Sequence, residues 1–318
     1  MSFDVKIIAD SVGPRGNRIT TMQLCYPRFI HAEFMTHRVF SRNASSSRAI
    51  PVAKLIEQVR NNPVMPVHWG KNQPGMQADE ELSPENIGAV RGIWRDAAYR
   101  AANYAETMAR FGAHKQIVNR ILEPWQWMHT IVTATEWDNF FALRCHKDAQ
   151  PEIRRLAEFM RETQHRSVPK KLDYGQWHLP YVNTEIEDDG EQSYRHKMFF
   201  DPPIEGHPGA CGVQFLNLEQ ALKASVARCA RVSYLTHDGK TPDIEKDLEL
   251  YERLAGSVPI HASPLEHQAM VNVLGPYEDW VCLGWQGNFH PEWVQFRQII
   301  EVGINPDKLT RDMRNYAP

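Results

Sequence analysis

The period of the apolar positions changes several times along the chain, and each change marks an expected element. Val5 to Ala9 and Arg18 to Tyr26 alternate or run apolar like strands, separated by the turn-forming stretch Gly13-Pro14-Arg15-Gly16-Asn17. Pro27 closes the second strand, and Arg28 to Val39 reads as a helix entered just after it. Ser41 to Arg48 is polar and serine-rich, and Pro51 introduces a short helix around Lys54 to Arg60. From Asn61 to Glu81, Pro, Gly and Asn predict a long surface excursion.

The clearest helix starts at Ser83. That residue is a good N-cap, Pro84 suits the first helical position, and Glu85 suits the positive end of the dipole. Val90, Trp94, Ala97, Ala98, Ala101, Tyr104, Ala105 and Met108 then form an apolar stripe that Gly112 closes. Further helices are expected over Gln116 to Leu122, Trp137 to Leu143 and, after Pro151, Glu152 to Arg161. Tyr174 to Pro208 reads as a loop-rich seam containing Pro180, Pro202, Pro203 and Pro208. Beyond it, Leu218 to Arg228, Ile244 to Leu254 and Trp293 to Ile300 read as helices. Ala230 to Leu235 is mixed, and Gln268 to Val273 is β-like. Strands and helices without regular βαβ alternation predict an α+β fold, mostly antiparallel sheet packed with helices. One domain over 1–318 is expected, built from halves at about 1–172 and 210–318 that a Pro-rich connection joins.

Composition narrows the function classes. With 318 residues, 42% of them hydrophobic, the chain can bury a sizeable core. A formal net charge of -3 does not advertise the basic face that a nucleic-acid polymer or an acidic membrane needs, although a local pocket requires only a few arginines. The five cysteines are scattered without a C-x-x-C pair, which reads as reduced thiols in a cytoplasmic enzyme rather than a zinc module or a disulfide framework. The segment MSFDVKIIADSVG lacks the basic start of a signal peptide, and no apolar run reaches membrane-span length. A soluble cytoplasmic protein is the expectation. No metal constellation is expected either: His261 and His267 lack the spacing of a helical ligand pair, and His31, His114 and His129 read as ordinary core or surface residues.

Candidate chemistry begins at Thr36-His37-Arg38-Val39-Phe40-Ser41-Arg42-Asn43-Ala44-Ser45-Ser46-Ser47-Arg48. Arginines at both ends, with hydroxyls between, suit phosphate oxygens. By itself the same segment also reads as a solvated polar loop. It resembles, however, the R-H-R-x-x-S-x-N-E-x-S-x-R-Y signature of the flavin-dependent thymidylate synthases at His37, Arg38, Ser41, Asn43, Ser46 and Arg48. Arg120 to Pro124 is similar to that family's R-x-x-x-P, Asn139 to Arg144 to its N-F-L-x-L-R, and Ala149 to Ile153 to its A-Q-x-E-I. A third block, Ala230 to Tyr234 and His261 to His267, resembles A-R-V-S-Y and H-x-S-P-x-E-H. In the family this block precedes R-H-R; here it follows everything else, as in a circular permutation, so it should fold back against the N-terminal block. Phe289 to Arg297 also resembles a second copy of Tyr26 to Arg38.

The resemblance implies roles. Arg144 is implied to face the pyrimidine ring and to stabilise charge there as C5 becomes nucleophilic. Arg120, Ser46 and Arg48 are implied nucleotide contacts, with Glu33 and Ser47 in the same substrate-binding stretch. His37, Arg38, Asn139, His261 and Ser263 are implied flavin contacts. His267 reads as a structural corner. The implied cofactors are FAD, NAD(P)H as reductant and methylenetetrahydrofolate as carbon donor, in a homotetramer acting on a pyrimidine deoxynucleotide monophosphate, with dUMP to dTMP as the reaction.

Several positions depart from the family pattern. Thr36 and Thr135 stand where arginines are expected, Glu33 where glutamine is, Ala44 for glutamate, Ala49 for tyrosine and Asp148 for histidine. Gln295 and Arg297 are expected to supply part of what Glu33 and Thr36 lack. A carboxylate at Glu33 or Asp148 would suit the 4-amino group of cytosine, which keeps methylation or hydroxymethylation of dCMP as an alternative. Lost arginines also leave open a non-catalytic nucleotide- or flavin-binding relative.

Overall fold

The computed structural model describes residues 2–199, 211–232, 243–255, 259–272 and 287–301. In chain order the elements are β1 (Asp4–Val12), β2 (Arg18–Pro27), α1 (His31–Phe34), β3 (Ser41–Ala44), α2 (Val52–Asn61), α3 (Pro84–Arg110), α4 (Lys115–Val118), β4 (Trp127–Ala134), α5 (Asp138–Arg144), α6 (Pro151–Arg166), β5 (Lys170–Lys171), β6 (Trp177–His178), β7 (Asn183–Ile186), β8 (Gln192–Phe199), β9 (Cys211–Leu216), α7 (Leu218–Arg231), α8 (Ile244–Ala255), β10 (Ala269–Val271), β11 (Trp293–Gln295) and α9 (Phe296–Glu301). Short 3₁₀ turns cover Arg28–Ile30, Asn119–Trp125 and Ser263–Glu266.

Three sheets carry the architecture. The largest has strand order β3-β4-β2-β1-β5, antiparallel except for the β1·β5 edge. A second runs β11-β10-β6 and a third β7-β8-β9, both antiparallel. The fold is therefore α+β with mostly antiparallel pairing, as the pattern predicts. One face of the large sheet presents Met22, Leu24, Tyr26, Met128 and Val132 to Phe34, Phe40, Trp137, Phe140 and the apolar stripe of α6. A second core forms where α2, α3 and the 115–125 stretch meet, and a third where α7, α8 and α9 cover the small β6-β10-β11 sheet.

Local chemistry explains most boundaries. Ser83 Oγ accepts from the Asn86 N–H at the start of α3, and Gly112 leaves the helix at a φ of +81°, which a side chain would resist. Gln150 caps α6 ahead of Pro151, and Asn217 with Gln220 forms a reciprocal capping box on α7.

Four expectations need correction. The helix expected over Arg28 to Val39 is only a 3₁₀ turn and one α turn. Phe34 and Phe40, six residues apart, would point roughly 120° from each other on a helix at ~100° per residue; both are instead fully buried in one core. Arg42 helps bend the chain by donating to the carbonyls of Met35 and His37, both at 2.9 Å. The serine-rich segment is not a free loop, since its first half is β3, paired with β4. Tyr174 to Phe199 is not loop-rich: it contributes β6 to the second sheet and β7 and β8 to the third, while Pro202, Pro203 and Pro208 lie outside the described residues. Trp293 to Ile300 begins as β11 and turns helical only at Phe296. The interior strand β4 was absent from the expectations, because a strand covered on both faces shows a continuous run, Thr130-Ile131-Val132-Thr133-Ala134, instead of alternation.

Candidate active site

The segment from His31 to Arg48 is the backbone of the candidate site, and three distant parts of the chain meet it. At its first end α5 delivers Arg144. The Arg144 guanidinium donates through Nε to His37 Nε2 at 2.9 Å and through Nη2 to Thr36 Oγ1 at 3.4 Å, and its Nη1 pairs with the Glu33 carboxylate. His37 lies with its ring edge-on to Phe140, centroids 4.8 Å apart. Burial, then the neighbouring cations Arg144 and Arg42, pushes His37 down to about 4. It is therefore a neutral acceptor toward Arg144 near neutral pH. His31 is held at about 4 by burial and then by the cations Arg28 and Arg42, and its Nδ1 meets the Tyr26 hydroxyl at 2.9 Å.

At the other end of the segment, Ser47 Oγ donates to Glu123 Oε1 at 3.2 Å, and Arg28 and Arg120 pair with the same carboxylate at 3.0 and 2.8 Å. Asn119, fully buried, holds the loop in place by donating to the carbonyls of Ser47 and Ile50. Ser46 is half-buried beside them. Arg38, Arg48 and Asn139 are exposed and form no hydrogen bond or ion pair with a described residue. Phe29, Met35, Val39 and Leu143, on the same stretches of chain, are exposed apolar side chains. The surface thus combines a fixed guanidinium, free cations and apolar patches, the chemistry a flat heteroaromatic ring with phosphates calls for.

The middle of the segment receives the C-terminal block. In β3, Asn43 Nδ2 donates to the Cys229 carbonyl at 2.9 Å, and Ser263 Oγ reaches Asn43 Oδ1 at 3.4 Å. Gln295 Nε2 donates to Ser41 Oγ at 2.9 Å and to the Glu266 carbonyl at 2.8 Å. His267 Nδ1 lies 2.9 Å from Thr133 Oγ1 on β4. The tail and the head of the chain are therefore in contact at the histidine-serine corner, as the fold-back expectation requires. His261 is exposed, joined to the body by its N–H to the Leu254 carbonyl. Ser233 and Tyr234 lie outside the described residues.

Some assignments shift. Gln295 is fully buried between β3 and the corner and is not offered toward Glu33 or Thr36; Arg297 pairs with Glu266 and Glu301. Glu33 touches Arg144, whereas Asp148 pairs at the surface with His146 at 3.4 Å. Thr135 Oγ1 accepts from the His290 N–H at 2.9 Å, binding the C-terminal block. Arg28 was missed: it follows a strand end in sequence, and only folding brings it to Glu123. Among the described residues no group of three or more His, Cys, Asp or Glu side chains could hold a metal ion, and no helix is long and apolar enough to cross a membrane.

Residues 19–170 match the family of the thymidylate synthase complementing protein, Thy1. The matched segment contains Arg144, Glu33, His37, Arg120 and the whole serine-rich stretch, whereas the histidine-serine corner lies beyond it. Among solved structures, the chain is similar to the UMP/dUMP methylase PolB from Streptomyces cacaoi bound with 5-Br dUMP, at 17% identity over 51% of this chain and 90% of that one, TM-score 0.41. The same enzyme bound with 5-Br UMP aligns at 16% identity over 51% and 88%, TM-score 0.42. Thymidylate Synthase X from Helicobacter pylori with FAD and dUMP aligns at 14% identity over 46% and 70%, TM-score 0.34. No curated protein matches the chain.

Proposed function

We propose that the chain transfers a one-carbon unit from methylenetetrahydrofolate to C5 of a pyrimidine deoxynucleotide, converting dUMP to dTMP, with FAD as cofactor and NAD(P)H as reductant. The observation that carries this reading is Arg144, held by Glu33, Thr36 and His37 inside the Thy1 segment. A planar guanidinium restrained at three points is pre-organised to donate to the edge of a pyrimidine ring. Charge that develops on the ring as C5 attacks carbon is then met without reorganisation of the site. Ser46, Ser47, Arg48 and Arg120, with Arg28 beside them, are assigned to the nucleotide phosphate. His37, Arg38, Asn139, His261 and Ser263 are assigned to FAD: exposed cations suit its diphosphate, and the apolar area of Met35, Val39 and Leu143 suits its ring system. When bound, FAD supplies the hydride that completes the methyl group. Neutral His37 keeps an acceptor turned to Arg144, so its guanidinium stays oriented rather than repelled. A homotetramer and a cytoplasmic location are part of the same proposal.

One observation favours a second reading. The Glu33 carboxylate beside Arg144 is an acceptor whose chemistry suits the 4-amino group of cytosine, which supports dCMP as substrate. The test is mass spectrometry of products from dUMP and dCMP offered together, with FAD, NADPH and methylenetetrahydrofolate present. Addition of 14 mass units to dUMP is the expected result, on the order of one CH₂. Modified dCMP supports the second reading, and no product from either, with nucleotide still bound, overturns both in favour of a binding protein.

A further inference from the structure

The seam between the large sheet and the small β6-β10-β11 sheet is built from polar side chains. Register aligns Thr21, Thr133 and Ser41 in one row across β2, β4 and β3. Opposite them the second sheet aligns His178, Ala269 and Gln295 in one row across β6, β10 and β11. Four contacts then run in series through this seam. Ser11 Oγ lies 2.9 Å from His178 Nδ1, His178 Nε2 lies 2.8 Å from Thr21 Oγ1, Thr21 Oγ1 lies 2.7 Å from Thr133 Oγ1, and Thr133 Oγ1 lies 2.9 Å from His267 Nδ1. All five residues are at most 5% exposed.

The two ends differ. Ser11 lines a cleft of about 430 Å³ with Asp10, Lys170, Thr184, Glu185 and Arg195. At the far end, His267 Nε2 is buried without a hydrogen-bond partner among the described residues. His267 follows the Ser263–Glu266 turn that touches β3, so this end lies behind the candidate active site.

Each member carries one proton that it can share. Serine and threonine hydroxyls both donate and accept, and a neutral imidazole donates from one nitrogen while accepting at the other. Burial holds both rings far below the usual histidine value, at about 3, so both are neutral near pH 7. Four bonds and five protons then allow two uninterrupted arrangements. In one, every proton points from Ser11 toward His267, and both rings carry hydrogen on Nε2. In the other, every proton points back, and both rings carry hydrogen on Nδ1. A break in the series would leave two buried lone pairs or two buried hydrogens facing each other, which costs about 1–3 kcal/mol per unsatisfied group.

We propose that Ser11, His178, Thr21, Thr133 and His267 form one concerted proton wire joining the cleft to the buried edge of His267. A proton taken up at His267 Nε2 from a water or an acid there is matched by release of the His267 Nδ1 proton to Thr133. Thr133 passes its proton to Thr21, Thr21 to His178 Nε2, and His178 Nδ1 to Ser11, which gives its own proton to water in the cleft. Each of the five side chains gains one bond to hydrogen and loses one. Both rings are neutral before and after, with their tautomers exchanged. The reverse passage restores the first arrangement. The wire does not depend on which nucleotide the site takes.

Nitrogen-15 NMR of the full chain with labelled histidine tests this, because ring shifts distinguish protonated from bare nitrogens. The expected wild-type result is the same tautomer in both rings, assigned with His178→Asn and His267→Asn variants. Opposite tautomers overturn the proposal. The variant Ser11→Ala removes the only partner of His178 Nδ1 among the described residues, which leaves Nε2–H as the favoured form of that ring. The wire then requires His267 also to hold its proton on Nε2, four links away. A Ser11→Ala protein whose His267 carries its proton on Nδ1 overturns the proposal. If that variant does not fold, the wild-type spectrum decides alone.

Discussion

At the residue scale, the site turns on how one guanidinium is held. Arg144 meets a carboxylate, a hydroxyl and a neutral imidazole at once, and each fixes a different edge of its planar fork. Arg144→Lys keeps the charge but loses this geometry. It is expected to lower kcat by roughly 10²–10³, with KM for the nucleotide changed less and the circular dichroism spectrum unchanged. Steady-state kinetics on the accepted nucleotide checks it; an unaltered kcat would remove Arg144 from the ring edge. The histidines give a second prediction. His31, His37, His178 and His267 have folded values depressed to about 4, 4, 3 and 3, below their ordinary value. Above pH ~6.5 folded and unfolded chains are both neutral at these rings, and their contribution is constant. As pH falls from there toward 3, the unfolded chain binds protons that the folded one refuses, so stability is lost. For each of the fully buried pair, His178 and His267, the slope approaches about 1.4 kcal/mol per pH unit. Urea unfolding at pH 7.5, 6.0 and 5.0 should show this fall, and a His267→Gln variant that still folds should show a shallower one.

At the element scale, the long helix α3 illustrates a segment governed mainly by local signals. Its cap, its proline, its stripe and its closing glycine all act within a few residues. Ser83→Ala should therefore destabilise the protein by ~1 kcal/mol by leaving the Asn86 N–H uncapped. The readout is the urea midpoint at constant slope, and a midpoint unchanged within error would mean that water replaces the cap. The segment from Arg28 to Phe40 behaves oppositely. Its residues favour continued helix locally, but a straight helix would expose either Phe34 or Phe40. Burying both aromatics is worth several times the ~0.5 kcal/mol per residue that helix propensity offers. The core wins, and the bend that results is what presents Glu33, Thr36 and His37 together.

At the scale of the whole molecule, the N-terminal hairpin and the C-terminal block are interlocked. The buried Glu292 carboxylate accepts from the Arg15 N–H at 2.7 Å, the Asn17 N–H at 3.1 Å and the Asn17 side-chain amide at 2.7 Å. Trp293 Nε1 donates to the Asn17 carbonyl at 3.2 Å, on the neighbouring position of the same block. Gly13 permits this approach: a Cβ there would stand 2.4 Å from Glu292 Oε1. Gly13→Ala is therefore expected to displace Glu292 and lower the thermal midpoint by several degrees, corresponding to roughly 1–3 kcal/mol. Hydrogen exchange should show the loss concentrated at the β1–β2 turn and at Trp293–Gln295. A Gly13→Ala protein as stable as wild type would mean the carboxylate contact contributes nothing.

The amino-acid order alone established what depends on near neighbours. The first two strands, α3 with its cap and stop, α6 after its proline, and the α+β class follow from periodicity and capping chemistry. The resemblance of residues 36–48, 120–124 and 139–144 to one family was also legible, because it rests on side-chain identities at short spacing. Tertiary structure decided the rest. It placed β4 inside the sheet between β3 and β2, turned a serine-rich segment into an edge strand, and made β-structure of the stretch after Tyr174. It also drew Arg28 to Glu123 and separated Glu33 from Asp148. These outcomes depend on which surfaces are covered from both sides and on contacts between residues far apart in the chain, such as Arg28 with Glu123 and Ser41 with Thr133. Local sequence cannot encode such pairings, since burial is a property of the assembled layers rather than of any one segment.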